Sequence, residues 1–160
     1  MAIQAYGSII TEIGEVYIPD DATTEKLILA GHYSYVNRDI TGEHFPITCW
    51  GARKLFLMQL TREAECNKVQ SEVMALGHKK LALAGDVLAL GAHVVYREVL
   101  RGTPLIICLG SIHKVRDCPR ALFLFERGNE FGLDLKFFYD RCRIDCRVLL
   151  VESPLPNKKS

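Results

Sequence analysis

A chain of 160 residues that is 49% hydrophobic and 24% charged, with a net charge of +1, has the balance of one ordinary globular domain. The apolar content excludes global disorder, and +1 supplies no strong field for gathering polyanions. A domain of this size buries roughly 70% of its unfolded surface, enough for a core without disulfide or metal staples.

Residues 2–18 alternate loosely and are rich in Ile, Val and Tyr, with Gly7 and Gly14 as breaks, which predicts one or two strands. In "PDDATTEKLILAG", Asp21 or Thr23 can cap a first helical turn, Glu25 suits its positive end and Gly31 a left-handed stop. A short helix over about Ala22 to Ala30 follows from these signals. "HYSYVNRDITGEHFP" collects Asn37, Asp39, Thr41, Gly42 and Pro46 and reads as a structured loop. "ARKLFLMQL" is ambiguous, since its apolar run fits a buried strand but contains no β-branched residue. From Thr61, Cys66, Val69, Val73 and Leu76 recur at spacings of three and four, one face of a helix that Gly77 closes. "KKLALAGDVLALGA" reads as a second helix, apolar nearly all round and therefore central. Gly85 and Asp86 can split it, with Asp86 as a new cap, and "VVYREVLRG" prolongs helix up to Gly102 and Pro104.

Beyond Pro104 the texture becomes that of strands. "PLIICLGSIHKV" is one, bulged at Gly110; "DCPR" is a turn, "ALFLF" a buried strand, and "ERGNEF" a hairpin centred on Gly128-Asn129. "GLDLKFF" alternates again, and a turn near Tyr139–Arg141 leads into "DRCRIDCRVLLVE". The fold class expected is α+β: an antiparallel C-terminal meander over about 104–152, packed against two or three helices from the middle of the chain, with an N-terminal strand or two. Residues 1–152 form the single domain in this reading, and 153–160 a loose tail.

Extended over 142–150, the last stretch puts Cys142, Ile144, Cys146, Val148 and Leu150 on one face and Arg141, Arg143, Asp145 and Arg147 on the other. Four residues of strand span roughly 13 Å. That is too far for Cys142 and Cys146 to share a disulfide or an ion, so both read as buried structural thiols. The outer face, Arg141, Arg143 and Arg147 joined by Lys136, is a candidate phosphate-contacting stripe. Asp134, Asp140 and Asp145 interrupt it, and Phe138 is the single aromatic platform on that face.

His32, Asp39 and His44, with Glu43, offer a candidate metal set in the 32–44 loop, although their spacing matches no known signature. Tyr33, Tyr35 and Asn37 are the ligand-loop candidates there. Ser111, His113 and Cys118 carry nucleophile-and-base chemistry in principle. Ser111 lacks the Gly-x-Ser-x-Gly elbow, and it stands about 6.6 Å along a strand from His113. No phosphate-loop motif occurs, and no cofactor is expected.

Charge is uneven: −5 over residues 1–50 and +6 over 51–160, which reads as mutual packing or as a basic surface for an acidic partner. The start of the chain lacks the pattern of a signal peptide, and six dispersed cysteines read as reduced thiols of a cytoplasmic protein. The longest apolar stretch, Leu81 to Tyr96, contains Asp86 and His93 and falls short of the ~20 apolar residues of a membrane span, so no membrane role is expected. The leading expectation is a non-catalytic protein-interaction or regulatory module acting through a protein partner or self-association. The alternatives are a nucleic-acid binder using the basic β-face and a metal-dependent enzyme using the 32–44 loop.

Overall fold

In the computed structural model, which describes residues 7–75, 79–115 and 117–152, apolar alternation is resolved into one large mixed sheet with helices on both faces. Its order is β1 (Gly7–Ile18), β3 (Gly51–Leu60), β10 (Cys146–Glu152), β6 (Leu105–Val115), β7 (Cys118–Arg127), β8 (Glu130–Phe137) and β2 (Tyr35–Val36), while β5 (Lys79–Leu81) pairs with the end of β10. A separate two-stranded ribbon joins β4 (Ala64–Glu65) to β9 (Arg141–Cys142). The expected tail at 153–160 and the first six residues lie outside the described residues.

The α+β class holds, but the sheet is not a simple antiparallel meander. β6, β7 and β8 are consecutive antiparallel neighbours, with Arg127 opposite Glu130 across the Gly128-Asn129 turn. β10 then leaves the meander and inserts between β3 and β6, antiparallel to the first and parallel to the second. The reason lies in its composition. Val148, Leu149, Leu150 and Val151 are all buried, and a strand that is apolar on both faces needs a doubly covered, central place. β2 also runs parallel to its neighbour β8.

Alternation distributes the core between the two faces. On one face Leu55, Leu149, Val151, Ile106, Cys108, Leu122, Leu124 and Leu133 pack beneath α1 (Thr24–Gly31), α3 (Ala84–Ala92) and Leu100 of α4 (Val94–Leu100). On the other, Phe56, Met58, Val148, Leu150, Ile107 and Leu109 pack beneath α2 (Cys66–Met74). No helix among the described residues is long and apolar enough to cross a membrane.

Several boundaries differ from expectation for local physical reasons. "ARKLFLMQL" is strand β3, since pairing on both sides outweighs its lack of β-branched residues. α1 is capped by Thr23, which accepts from the Lys26 amide, but the left-handed stop is His32 at φ 49° rather than Gly31. Gly31 is small for another reason: a Cβ there would meet the Tyr33 ring at 2.2 Å. The helix expected from Thr61 begins only at Cys66, after β4, and it buries Cys66, Val69 and Val73 as the spacing requires; Leu76 and Gly77 lie outside the described residues. The second helix is split earlier than Gly85, with β5 ending at Leu81 and α3 starting at Ala84; Asp86 caps it from within, accepting from the Leu83 amide at 2.9 Å. The bulge in β6 falls between Cys108 and Ile112. It brings the Gly110 amide to 3.0 Å from the Ala82 carbonyl, so β5 can take over β6's place beside β10.

The stretch at 140–152 is not one pleated ribbon. Arg141 and Cys142 pair with Glu65 and Ala64, a turn closed by the Cys146 amide on the Arg143 carbonyl (3.0 Å) follows, and only then does β10 begin. The two faces expected from alternation are therefore broken at the turn, and Ile144, assigned to the buried face, is 51% exposed.

Candidate functional site

The turn lifts its side chains off the sheet and gathers them around a hollow. Gln59, Glu63, Arg143, Ile144, Asp145 and Arg147 line about 420 Å³ of it. Glu63 also belongs to an adjoining hollow of about 180 Å³, lined by Arg62, Glu65, Lys68 and Arg141 among others. Five cations thus surround the β4–β9 ribbon and its turn, against the three carboxylates Glu63, Glu65 and Asp145. Among the described residues, Lys68, Arg141, Arg143 and Arg147 form no ion pair; Arg147 spends one Nη1 donor on the Ile144 carbonyl (3.2 Å), which stiffens the turn.

Of the stripe expected from sequence, Arg143 and Arg147 share the larger hollow and Arg141 the smaller. Lys136 is engaged elsewhere, 3.3 Å from Asp140. The Arg141 amide, and then Lys136, hold the Asp140 carboxyl below its usual range. Phe138 is no platform beside the arginines, for it packs against the core under α2. Arg62, Lys68, Gln59 and Glu63 were missed in the sequence because they lie some 80 residues from the turn; the ribbon pairing brings the first, second and fourth to it, and Gln59 arrives as the partner of Arg147 in the β3–β10 pair.

Under the ribbon lie three buried thiols. Cys66 heads α2, Cys142 ends β9 and Cys146 starts β10. The Cys66 and Cys142 sulfurs are 2.8 Å apart and share a hydrogen bond, while the Cys146 thiol donates to the Arg147 carbonyl at 3.7 Å. The turn removes the separation expected of Cys142 and Cys146 on an extended strand. The bond from Cys142, with burial, pushes the Cys66 thiol far up; the neighbouring Cys146 thiol leads in raising Cys142 to about 12. Cys66 and Cys142 are both neutral at physiological pH.

The 32–44 loop is held from within. Tyr33 is wedged against Gly31 and Gly91 with the Arg97 guanidinium 5.4 Å from its ring centre, and burial raises its hydroxyl pKa. Arg97 itself donates to the Gly31 and Gly91 carbonyls. Asn37 takes the Asp39 amide at 2.9 Å, a local turn, and donates to Asp134 at 2.9 Å. His44 has Nδ1 2.8 Å from the Asp39 carbonyl and stacks on His113, ring centres 4.1 Å apart, while His32 is spent on the end of α1. Among the described residues no group of three or more His, Cys, Asp or Glu side chains is arranged to hold a metal ion, the set His32, Asp39 and His44 included. Tyr35 is the outward member of the loop; with Ser34, Phe125, Arg127, Glu130 and Asp134 it lines a hollow of about 320 Å³. Ser111 is consumed structurally, accepting from the Ala84 amide at 2.8 Å, and Cys118 is exposed.

No family model matches the chain, and no curated protein and no solved structure matches it either.

Proposed function

We propose that this chain is a non-catalytic binding module whose arginine turn takes an acidic segment of a protein partner. The observation that carries the reading is Ile144, 51% exposed between Arg143 and Arg147 at the rim of a 420 Å³ hollow. An apolar tip within a collar of guanidinium groups is the make-up of a protein interface, whose centres are enriched in apolar residues and arginine. Arginine forks pair bidentately with carboxylates, and four of the five surrounding cations have no ion pair of their own among the described residues.

A phosphate backbone is the competing occupant, because the same cations would meet it. Glu63, Glu65 and Asp145 stand among those cations, which repels an evenly charged strand, and Phe138 offers it no stacking surface. Carboxylates placed on a flexible peptide can avoid these three; a regular phosphate ladder cannot.

Fluorescence anisotropy with two probes tests the reading: a labelled peptide of alternating glutamate and leucine, and a labelled single-stranded oligonucleotide of equal charge. The peptide is expected to bind and to be weakened about ten-fold or more, a loss of about 1.4 kcal/mol, by Arg143→Glu with Arg147→Glu and separately by Ile144→Asp. Tight oligonucleotide binding that depends on the same arginines and ignores Ile144 would transfer the site to nucleic acid. Indifference of both probes to all three changes would remove it.

A further inference from the structure

We propose that Cys66 and Cys142 are an oxidative modification site, closed into a disulfide by a low-molecular-weight disulfide such as oxidised glutathione. Their sulfurs are 2.8 Å apart, and a disulfide requires about 2.04 Å, so the remaining approach is roughly 0.8 Å. The backbone is already set for it. Cys142 lies opposite Ala64 in the β4–β9 ribbon, and the Cys66 amide donates to the Asp140 carbonyl at 2.9 Å, so the two residues occupy adjoining steps of one ladder. The oxidised form can therefore keep every helix and strand where it stands.

The same distance argues against a shared metal. Two thiolates on one tetrahedral zinc, each about 2.3 Å from the ion, stand about 3.8 Å apart. The observed separation is nearer to a covalent bond than to a chelate. Cys146, whose thiol donates to the Arg147 carbonyl at 3.7 Å, is the rival partner, but the close approach to Cys142 belongs to Cys66.

The reaction is a balanced exchange. Cys142 gives up its thiol proton, and its sulfur attacks one sulfur of the oxidant. The oxidant's S–S bond breaks, and the departing thiolate takes a proton to leave as a free thiol. Cys66 then loses its proton and attacks the Cys142 sulfur of the mixed disulfide, expelling the second small thiol, which is protonated in turn. Two electrons and two protons pass from the protein to the oxidant, one S–S bond is broken and one is made.

Both thiols are buried and neutral, so the exchange waits on an opening of the ribbon. Each of its strands is two residues long, and such a pair is marginal by itself, so local opening exposes the thiols without global unfolding. The product staples the start of α2 to β9 across a sequence separation of 76, a long loop whose closure constrains the unfolded state strongly. Cys118 is exposed and serves as an internal comparison, since it needs no opening to take up glutathione.

The test is peptide mapping of the intact chain after incubation with oxidised glutathione, quenched by alkylation in denaturant. The expected product is a cross-linked pair of peptides carrying Cys66 and Cys142, lighter by two hydrogens than the free thiols, forming more slowly than glutathionylation of Cys118. It persists in Cys146→Ser, is erased by dithiothreitol, and raises the thermal midpoint of the oxidised protein by several degrees. The mapping itself needs no substitution, so a poorly folding variant cannot obscure it. Complete alkylation of both residues after Cys118 has fully reacted would overturn the assignment, as would a bridge from Cys142 to Cys146. One equivalent of zinc that protects all three thiols from alkylation would overturn it as well.

Discussion

Arg53 grips the fully buried carboxylate of Asp86 with two parallel bonds, Nε to Oδ1 at 2.8 Å and Nη2 to Oδ2 at 3.0 Å, and the same Oδ2 caps the Leu83 amide at 2.9 Å. The pair ties β3 to the start of α3, across the face where the larger core lies. Arg53 keeps its head partly in water while Asp86 has none. The cost of breaking the pair is therefore asymmetric. Arg53→Met should destabilise the fold by about 3–5 kcal/mol in urea unfolding, because it leaves a buried charge uncompensated. Adding Asp86→Leu should recover most of that loss, and a deficit of about 1 kcal/mol should remain for the missing helix cap. A double variant no better than Arg53→Met would show that the charge is not the source of the cost.

The stacked histidines predict a pH dependence of stability. Burial, and then the facing His44, lower the pKa of His113, while Asp39 and Glu43 oppose the shift. A histidine with a depressed folded-state pKa binds its proton more readily when unfolded. Its contribution is complete above the ordinary histidine value of about 6.5 and is lost as pH falls from there through the lowered value. The urea midpoint should be higher at pH 7.5 than at pH 5.5. His113→Gln, which cannot titrate, should narrow that difference, and an unchanged difference would acquit the stack.

Two glycines separate steric from conformational need. A Cβ on Gly110 would lie 2.3 Å from the Ala82 carbonyl oxygen, a backbone atom that cannot turn aside. Gly110→Ala should cost about 1–3 kcal/mol or more by overpacking, and it should loosen β5 from β10. Gly102, at φ +87°, has open space around it, so Gly102→Ala meets only backbone strain, about 1–2 kcal/mol. Thermal unfolding of both variants, with amide exchange at Lys80 and Leu81, checks the contrast: only Gly110→Ala should speed exchange there.

What was legible in the sequence was local. Thr23 as a cap, Gly128-Asn129 as a two-residue turn, the bulge at Gly110 and the spacing of Cys66, Val69 and Val73 each depend on neighbours within one turn or one hairpin. The place of β10 depends on partners 41 to 96 residues away, and its apolar run states only that it is covered on both faces. The site was half legible. Arg141, Arg143 and Arg147 stood out, but alternation across Cys142, Ile144 and Cys146 has the period of a strand and gives no sign of a four-residue turn closed by backbone alone. The nearness of Cys66 to Cys142 had no sequence signal, being produced by ladder pairing between segments 76 residues apart.

The central position of β10 governs when this sheet can be closed. Proteins emerge from the ribosome amino end first, so β1 with β3 and the meander of β6 to β8 are synthesised before the strand that sutures them. Until residues 146–152 appear, the flanks of β3 and β6 face each other without the partner that satisfies their amides and carbonyls, two sticky borders open to any neighbouring chain. A nascent chain stalled at Asp145 thus holds two unfinished half-sheets, and β10 is the keystone that turns them into one.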